Sequence, residues 1–207
     1  MTKSAPDMPT KILQAAIQLF AQRGVTSTSI QAVADAVGIR KQSLLYHFPN
    51  KNVLRQAVLH DILSYWKNVV PRALVQATSG EHRLESALKV VIDFFLEDRY
   101  RAQFVVREVL DRPREMSNLI KNHFHPWMGL VTNYIRTGQE RGEVYDDVDP
   151  EAYVVQCIIL SICVISAGDV LQGVFPEGDA LKNIRSRMIA EVQRMTKYGL
   201  FVKAHDT

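Results

Sequence analysis

Apolar residues recur every three or four positions along most of this chain, and stretches that alternate apolar and polar residues are nearly absent. The first spacing places apolar side chains on one face of an α-helix, whereas alternation is the pattern of a half-buried strand. The sequence therefore predicts an all-α fold. With 207 residues, the chain is long enough to bury a sizeable core as one large domain or two small ones.

Interruptions of this periodicity divide the chain into nine predicted helices. Ser29 and Asn50 have the side chains that cap helix N-termini, and Gly38 suits the left-handed residue that ends a helix. Pro71 predicts the end of a long helix at about residue 70. The predicted helices span about 10–23, 30–37, 41–48, 51–70, 81–97, 101–110, 115–139, 151–173 and 180–203.

The basic residues are concentrated at one end of the chain. Residues 1–60 hold seven Lys or Arg and two acidic residues, a net charge of +5. The remaining residues hold 18 basic and 20 acidic ones, a net charge of −2. A small basic head on a slightly acidic body is typical of a protein of which one end meets a polyanion.

The two cysteines and the most apolar segment indicate an intracellular protein. Cys157 and Cys163 point to opposite sides of one predicted helix, so we expect free, buried thiols in a reducing compartment. Their segment, 152–168, is short for a membrane span and is interrupted by polar residues, which favours a buried helix. No secretory signal is visible, and we expect a cytoplasmic protein without a membrane partner.

The stretch GIRKQSLLYHF (38–48) combines an apolar side with a polar, cationic one. On a helix, Leu44 and Phe48 fall close together and can pack inward. The other side and the helix start carry polar residues, namely Arg40, Lys41, Gln42, Ser43, Tyr46 and His47. Two short helices joined by a glycine-containing turn describe a helix-turn-helix, whose second helix reads DNA. A solvated amphipathic helix would show the same spacing, so the spacing alone leaves both interpretations open.

The segment TSIQAVADAVGIRKQSLLYHFPNKNVLRQAV (28–58) resembles the DNA-binding region of the TetR family of transcriptional regulators. The preceding ILQAAIQLFAQRGVTSTS is similar to the first helix of that family, so the resemblance covers about residues 10–58. It implies an N-terminal three-helix DNA-binding domain at 1–55, with a flexible arm at 1–9. A larger helical domain for ligand binding and dimerisation would follow at 56–207.

The resemblance also implies which side chains contact DNA. These are Thr28, Gln31, Arg40, Lys41, Gln42, Ser43, Tyr46, His47 and Lys51. Arg40 stands where the family usually has a capping serine, which gives up about 1 kcal/mol but adds a cation. Leu45 stands where a phosphate-binding tyrosine is usual. Either Tyr46 replaces part of that contact, or Leu45 touches a thymine methyl group.

One short recognition helix makes few base contacts, so such domains work as symmetric pairs on palindromic double-stranded DNA. The last two helices resemble the family's dimerisation pair and predict a homodimer. The predicted interface is formed by Ile158, Ile162, Ile165, Ile184, Met188 and Val192. Val155 and Met195 extend its two apolar stripes. Packing of these stripes within one protomer is the alternative.

The resemblance assigns the middle helices to a small-molecule effector. Aromatic and soft side chains are dense there, and the predicted pocket residues are Trp66, Phe104, Phe124, Trp127 and Met128. Plain core packing is the alternative for each residue. Pro126 predicts a bend in the long helix around the pocket. Arg107 and Glu108 interrupt an apolar run, and they either form ion pairs or line the pocket.

The sequence predicts a ligand-responsive transcriptional regulator, a repressor released from its operator by a small, largely apolar molecule. A helical ligand-binding enzyme and a helical adaptor are the alternatives. The chain contains no HExxH, CxxC or glycine-rich phosphate loop. His123 and His125 diverge on a helix, which disfavours a metal site. We therefore expect no catalysis and no cofactor.

Overall fold

Nine α-helices form the part of the chain that the computed structural model describes, residues 7–76, 80–167, 170 and 184–202. They are α1 (Met8–Arg23), α2 (Ile30–Val37), α3 (Lys41–His47), α4 (Lys51–Gln76), α5 (Gly80–Glu97), α6 (Arg99–Asp111), α7 (Pro113–Glu140), α8 (Pro150–Ala167) and α9 (Ile184–Tyr198). An isolated antiparallel bridge joins Val144 and Phe201. The prediction of an all-α fold is confirmed.

Local capping determines where the first helices begin and end. Asp7 Oδ1 accepts a hydrogen bond from Thr10 N at 3.1 Å and caps α1. The helix therefore begins at Met8, whereas the sequence predicted a start near Thr10. Ser29 Oγ accepts from Ala32 N at 3.0 Å, which confirms the predicted cap of α2. Gly38 has a φ of 75° and ends α2 in the left-handed conformation, also as predicted.

The fourth helix is longer than the sequence predicted. Asn50 Oδ1 caps it by accepting from Val53 N at 2.9 Å, as expected. The helix then continues through Pro71 to Gln76, so its predicted end near residue 70 was wrong. Proline costs a helix interior roughly 3 kcal/mol. Val70 and Leu74, on either side of it, are each 2% exposed, and burying two such side chains recovers about 1.5–3 kcal/mol each.

Helix α8 is only partly buried, although the sequence predicted a buried helix. Its mean hydropathy is 1.8. Within the described residues, α8 is the helix that is long and apolar enough to cross a membrane. Core helices of soluble proteins meet the same criterion, which makes it weak evidence. Cys157 is buried but Cys163 is exposed, which corrects the expectation of two buried thiols.

The last helix returns the chain to the end of α7. After Tyr198 the backbone runs beside residues 143–145, where Tyr145 N donates to Leu200 O and Val202 N donates to Glu143 O, each at 3.1 Å. A Cβ at Gly138 would lie 2.6 Å from Val144 Cγ2, so only glycine permits this close approach. The predicted end of α8 near residue 173 and start of α9 near residue 180 lie outside the described residues.

The hydrophobic core is continuous from the first helices into the rest of the chain. The ring of Phe20 in α1 stacks on Phe104 in α6, with 5.8 Å between their centroids. Helix α4 extends this core from the head, α1–α3, into the body, α5–α9. The predicted domain boundary after residue 55 falls inside α4 and stays a prediction.

Candidate nucleic-acid interface and ligand cavity

Helix α3 presents its polar side outward because its apolar side is anchored in the head. Leu44 is fully buried and Phe48 is 9% exposed. Tyr46 is 85% exposed, and its ring meets the half-buried His47 ring edge-on at 5.3 Å. Four further predicted DNA-contacting residues are exposed, namely Arg40, Lys41, Gln42 and Ser43. This surface supplies amide, hydroxyl and cationic groups of the kind that read base edges and neutralise phosphates.

The N-terminus of α3 lacks a side-chain cap, as its sequence suggested. Arg40 occupies the N-cap position and its side chain makes no capping hydrogen bond. The guanidinium is exposed, so the cation that replaces the usual cap is available at the protein surface. Leu45, which replaces the usual tyrosine, is half-buried.

Two of the predicted DNA contacts are instead occupied in holding the turn between α1 and α2. Thr28 is 2% exposed, and its hydroxyl donates to Gly24 O at 2.8 Å. Thr28 is therefore a buried turn residue, and its contact with DNA stays a prediction. Lys51 Nζ donates to Thr26 O at 2.9 Å and to Thr28 O at 3.0 Å. Because an ammonium has three donors, a phosphate contact by Lys51 stays a prediction.

The other predicted residue of α2 remains at the surface. Gln31 is exposed, and its Nε2 donates to Asp35 Oδ1 at 2.6 Å. This bond lies within one helical turn, so it holds the amide beside the exposed face without burying it.

Arg55 of α4, one of the seven basic residues among the first 60, contributes to the interior and not to the exposed charge. It is 2% exposed, and its Nη1 donates to Glu108 Oε2 at 2.5 Å. Its Nη2 donates to Glu115, and Asn52 Oδ1 accepts from Nε and Nη2. Burial alone would lower the pKa of Arg55, but the hydrogen bonds to Glu115 and Glu108 outweigh it and raise the pKa above its usual value.

Two side chains of α6 attach the body to the head. Glu108 is fully buried and accepts from Arg112 Nη1 at 2.8 Å as well as from Arg55. Arg107 Nε donates to Ala21 O at 2.7 Å, near the C-terminal end of α1, where carbonyl groups attract cations. Of the two possibilities that the sequence left open for Arg107 and Glu108, the structure shows ion pairing and hydrogen bonding across the junction.

A cavity of about 590 Å³ lies in the body, at the far end of α4. We call it the distal cavity. The end of α4, α5, the second half of α7, the first half of α8 and residues 200–202 enclose it. Most of the lining is aliphatic, for example Leu84, Leu88, Val131, Ile135, Val154 and Ile158. Its volume lies within the range of about 300–1,000 Å³ that is typical of small-molecule sites.

Only one of the five residues predicted to bind the ligand lines the distal cavity. That residue is Trp127. The Trp66 ring is packed between Phe95 and Phe124, with centroids 5.1 and 5.0 Å away. Phe104 lies at the head–body junction, and Met128 packs against the core outside the lining. The sequence predicted that the aromatic residues of the middle helices surround a pocket. In the structure, the rings around Trp66 pack against one another.

The polar groups of the distal cavity were not identified from the sequence. Arg83 of α5 lies over the Tyr134 ring of α7, with its guanidinium carbon 4.5 Å from the ring centroid. The Tyr153 hydroxyl donates to Thr196 O and so joins α8 to α9. Burial raises the pKa of the Cys157 thiol to about 11 and also raises the pKa of Tyr153. An arginine at helical spacing among leucines and valines was the available signal for this site.

The predicted dimer stripe lies mostly inside the protomer. Four of its members are buried there, namely Ile162, Ile165, Ile184 and Val192. Ile158 and Met188 are half-buried, and Ile158 lines the distal cavity. Packing within the protomer, the alternative interpretation, therefore applies to most of this stripe. Val155 and Met195 are exposed, and Ile159 and Leu160 of α8 are exposed as well.

Comparisons with known proteins agree with this arrangement. Residues 12–58 match the profile of the bacterial regulatory proteins of the tetR family. The chain is 31% identical over 161 residues to the HTH-type transcriptional repressor KstR2 of Mycolicibacterium smegmatis, covering 70% of this chain and 76% of that one.

Two solved structures with low sequence identity share the fold. The fatty acid degradation regulator FadR of Bacillus halodurans superposes with a TM-score of 0.71 at 16% identity, covering 95% of this chain and 98% of that one. The ketosteroid transcriptional regulator KstR2 of Mycobacterium tuberculosis gives 0.69 at 15% identity, covering 97% and 98%. With a matching DNA-binding region and a repressor as a relative over most of its length, the chain belongs to the TetR family of transcriptional regulators.

Proposed function

We propose that this protein is a homodimeric repressor that binds palindromic operator DNA and releases it when an apolar molecule fills the distal cavity. The observation that carries this proposal is the course of α4. The helix begins at Lys51 beside the recognition helix, and Val70 and Leu74 near its C-terminal end lie in the wall of the cavity. From Lys51 to Leu74 it spans about 35 Å.

The exposed side chains of α3 support DNA reading. Lys41, Gln42 and Ser43 lie together at its N-terminal end, the end from which recognition helices contact base edges. Basic groups on this face supply the sequence-independent attraction to phosphates. The related KstR2 of Mycolicibacterium smegmatis is a transcriptional repressor, which favours repression over activation.

The exposed side of α8 supports a homodimer. Val155, Ile159 and Leu160 are 40–53% exposed, and Met195 of α9 is 53% exposed. Exposed apolar side chains gathered on one helix are typical of a binding interface. A second copy of the same two helices would cover these side chains. Such a dimer carries two α3 helices, one for each half-site of a duplex, and half-sites lie about 34–36 Å apart.

The apolar lining of the distal cavity supports an apolar effector. The structural neighbours include a fatty acid degradation regulator and a ketosteroid transcriptional regulator, both named for apolar metabolites. A molecule that separates α4 from α5 and α7 would tilt α4 and move the head, to which Lys51 at the start of α4 is hydrogen-bonded. The fixed half-site spacing then converts a small tilt into lost DNA contacts.

The test begins with selection of bound fragments from the source genome. The affinity of the purified protein for the selected duplex is then measured by fluorescence anisotropy at increasing salt. We expect one dimer per palindrome and an affinity that falls steeply with salt, because phosphate contacts release counterions. Equal, weak affinity for selected and scrambled duplexes would refute DNA reading and favour the enzyme or adaptor alternatives.

A further inference from the structure

Two hydrogen-bond donors in the wall of the distal cavity lack an acceptor within the described residues. Trp127 is 4% exposed, and its Nε1 is buried without a partner. Arg83 Nε is also buried without a partner. Both residues line the cavity. Because a buried donor without an acceptor is destabilising, these groups indicate that a ligand supplies the missing oxygens.

The ionisable lining of the distal cavity is weighted toward positive charge. The lining includes two arginines, Arg83 and Arg141, and one acidic residue, Glu143. The thiol of Cys157 and the hydroxyl of Tyr153 remain neutral at ordinary pH because burial raises the pKa of both. Arg141 and Glu143 are exposed, whereas Arg83 is half-buried. Arg83 is therefore the cation that a ligand inside the cavity meets.

We propose that the ligand is an apolar molecule bearing a carboxylate that accepts hydrogen bonds from Arg83 and a separate oxygen that accepts from Trp127. This inference rests on the function proposed above and specifies its effector. A guanidinium binds carboxylates more strongly than neutral acceptors because the hydrogen bonds are charge-assisted. The aliphatic lining holds the remainder of the molecule.

The geometry disfavours a cationic ligand. An aromatic face attracts cations, but the Tyr134 face already carries the Arg83 guanidinium at 4.5 Å. A quaternary ammonium beside Tyr134 would thus meet a like charge in place of an aromatic surface. The sign of the ligand charge is therefore a direct test of the proposal.

The first experiment compares three probes of equal chain length by calorimetric titration of the full chain. They are dodecanoate, methyl dodecanoate and dodecyltrimethylammonium. We expect dodecanoate to bind about tenfold or more tightly than the ester, since hydrogen bonds to a charged acceptor are roughly twice as strong as those to a neutral one. The ammonium compound should bind most weakly. Equal affinities, a preference for the cation, or no binding of dodecanoate would overturn the proposal.

Variants then identify the anion-binding group. Arg83→Gln should remove the preference for dodecanoate over its ester, and Arg83→Lys should retain part of it. Arg72→Gln is the matched control, because Arg72 is an exposed arginine outside the lining. Thermal unfolding of each variant verifies that it folds. A preference for dodecanoate that survives in Arg83→Gln would exclude Arg83 as the anion-binding group.

The second acceptor is tested with a steroid that has a ring ketone and a side-chain carboxylate. Trp127→Phe keeps an aromatic ring but removes the donor, so it should weaken this probe several-fold and leave dodecanoate nearly unaffected. Trp66→Phe removes a similarly unpartnered donor outside the cavity and is the control. An equal loss for both probes in Trp127→Phe would show that only ring packing matters.

Operator binding by the same preparations separates this proposal from the function on which it rests. If the protein binds its selected duplex but none of the anionic probes, the ligand class is wrong and the repressor function stands. If the probes bind as expected but no duplex is selected, the cavity assignment stands and the DNA-binding function fails.

Discussion

At the scale of single residues, Arg55 of α4 shows how a basic residue among the first 60 is used inside the fold. Its guanidinium is enclosed by Asn52 of its own helix and by Glu108 and Glu115 of the body. The charge of Glu108 is shared with Arg112, so each buried ion has more than one partner. Such a pair adds little net stability when intact, but removing Glu108 leaves the buried Arg55 charge with the half-buried Glu115 as its remaining carboxylate partner.

Glu108→Ala should therefore lower the free energy of unfolding by about 3–5 kcal/mol. Glu97→Ala is the matched control, because its ion pair with Arg101 is more exposed, with the Glu97 side chain 63% exposed, and such pairs contribute about 0–1 kcal/mol. Urea unfolding of both variants measures the difference. Similar losses for the two variants would mean that Arg55 finds other partners or water.

The reading face of α3 leads to a prediction about sequence preference. Lys41→Ala and Gln42→Ala should each reduce the preference for operator over scrambled DNA by about 1–3 kcal/mol. Lys51→Ala should weaken both duplexes alike and also lower thermal stability, because Lys51 Nζ holds the α1–α2 turn. Lys121→Ala, an exposed lysine of α7, is the control for lost charge. Competition binding against scrambled DNA measures this preference. If the α3 variants keep the operator preference of the unmodified protein, α3 is not the element that reads DNA.

The residues of this face could largely be predicted from the sequence, and the exceptions have a physical reason. Helical spacing from Leu44 and Phe48 is sufficient to find which residues of α3 point outward. Thr28 precedes its helix, in a turn whose hydrogen bonds depend on how α1 ends at Gly24. That geometry is not periodic, so spacing could not show that the Thr28 hydroxyl is buried.

At the scale of elements, α8 carries apolar residues on both its inner and its outer side. A charge on the outer side should separate the proposed dimer without unfolding the protomer. Ile159→Asp is the test, because Ile159 is 53% exposed. Ile120→Asp is the control at an exposed isoleucine of another helix, α7, where it is 39% exposed. Light scattering should show monomers for the first variant only, and a monomeric unmodified protein would contradict the proposed dimer.

The same substitution on the inner side should act differently. Ile162 is 8% exposed and packs within the protomer, so Ile162→Asp should destabilise the fold by several kcal/mol, as buried unpaired charges do. Circular dichroism distinguishes an unfolded chain from a folded monomer.

The two faces of α8 explain why most of the predicted dimer stripe packs within the protomer. Periodicity detects an apolar stripe, but a helix that is apolar nearly all round offers more than one. Which stripe faces the core depends on where α5, α6 and α9 lie, and that is a property of the tertiary structure. Most of the stripe that the sequence assigned to the dimer is buried within the protomer, and the part that α8 takes in a dimer stays a prediction.

At the scale of the whole molecule, the head and the distal cavity lie at opposite ends of α4, and the proposed function makes them energetically coupled. Ligand binding should lower operator affinity by a factor of about 5–150, equivalent to about 1–3 kcal/mol. By reciprocity, saturating operator should lower ligand affinity by the same factor. Calorimetric titration of dodecanoate with and without operator DNA measures this factor. Equal affinities in the two titrations would mean that the cavity does not control DNA binding.

The distal cavity itself could be anticipated from the family resemblance but not located from the sequence. Aromatic side chains such as Trp66 and Phe124 bury large areas and pack edge to face, so they complete a core. The cavity lies instead among aliphatic residues of five separate segments. A space left between segments depends on how all of them pack, and no single stretch of sequence records it.

The ion pair between Arg55 and Glu108 also constrains how this protein can change over evolutionary time. The two residues are 53 positions apart in sequence, yet neither can be lost alone without a penalty comparable to much of the stability of an ordinary domain. Neutral drift at either site is therefore blocked, whereas joint replacement by two apolar residues of similar volume is open. Among descendants of this chain, the two positions should be inherited as a pair, both charged or both apolar.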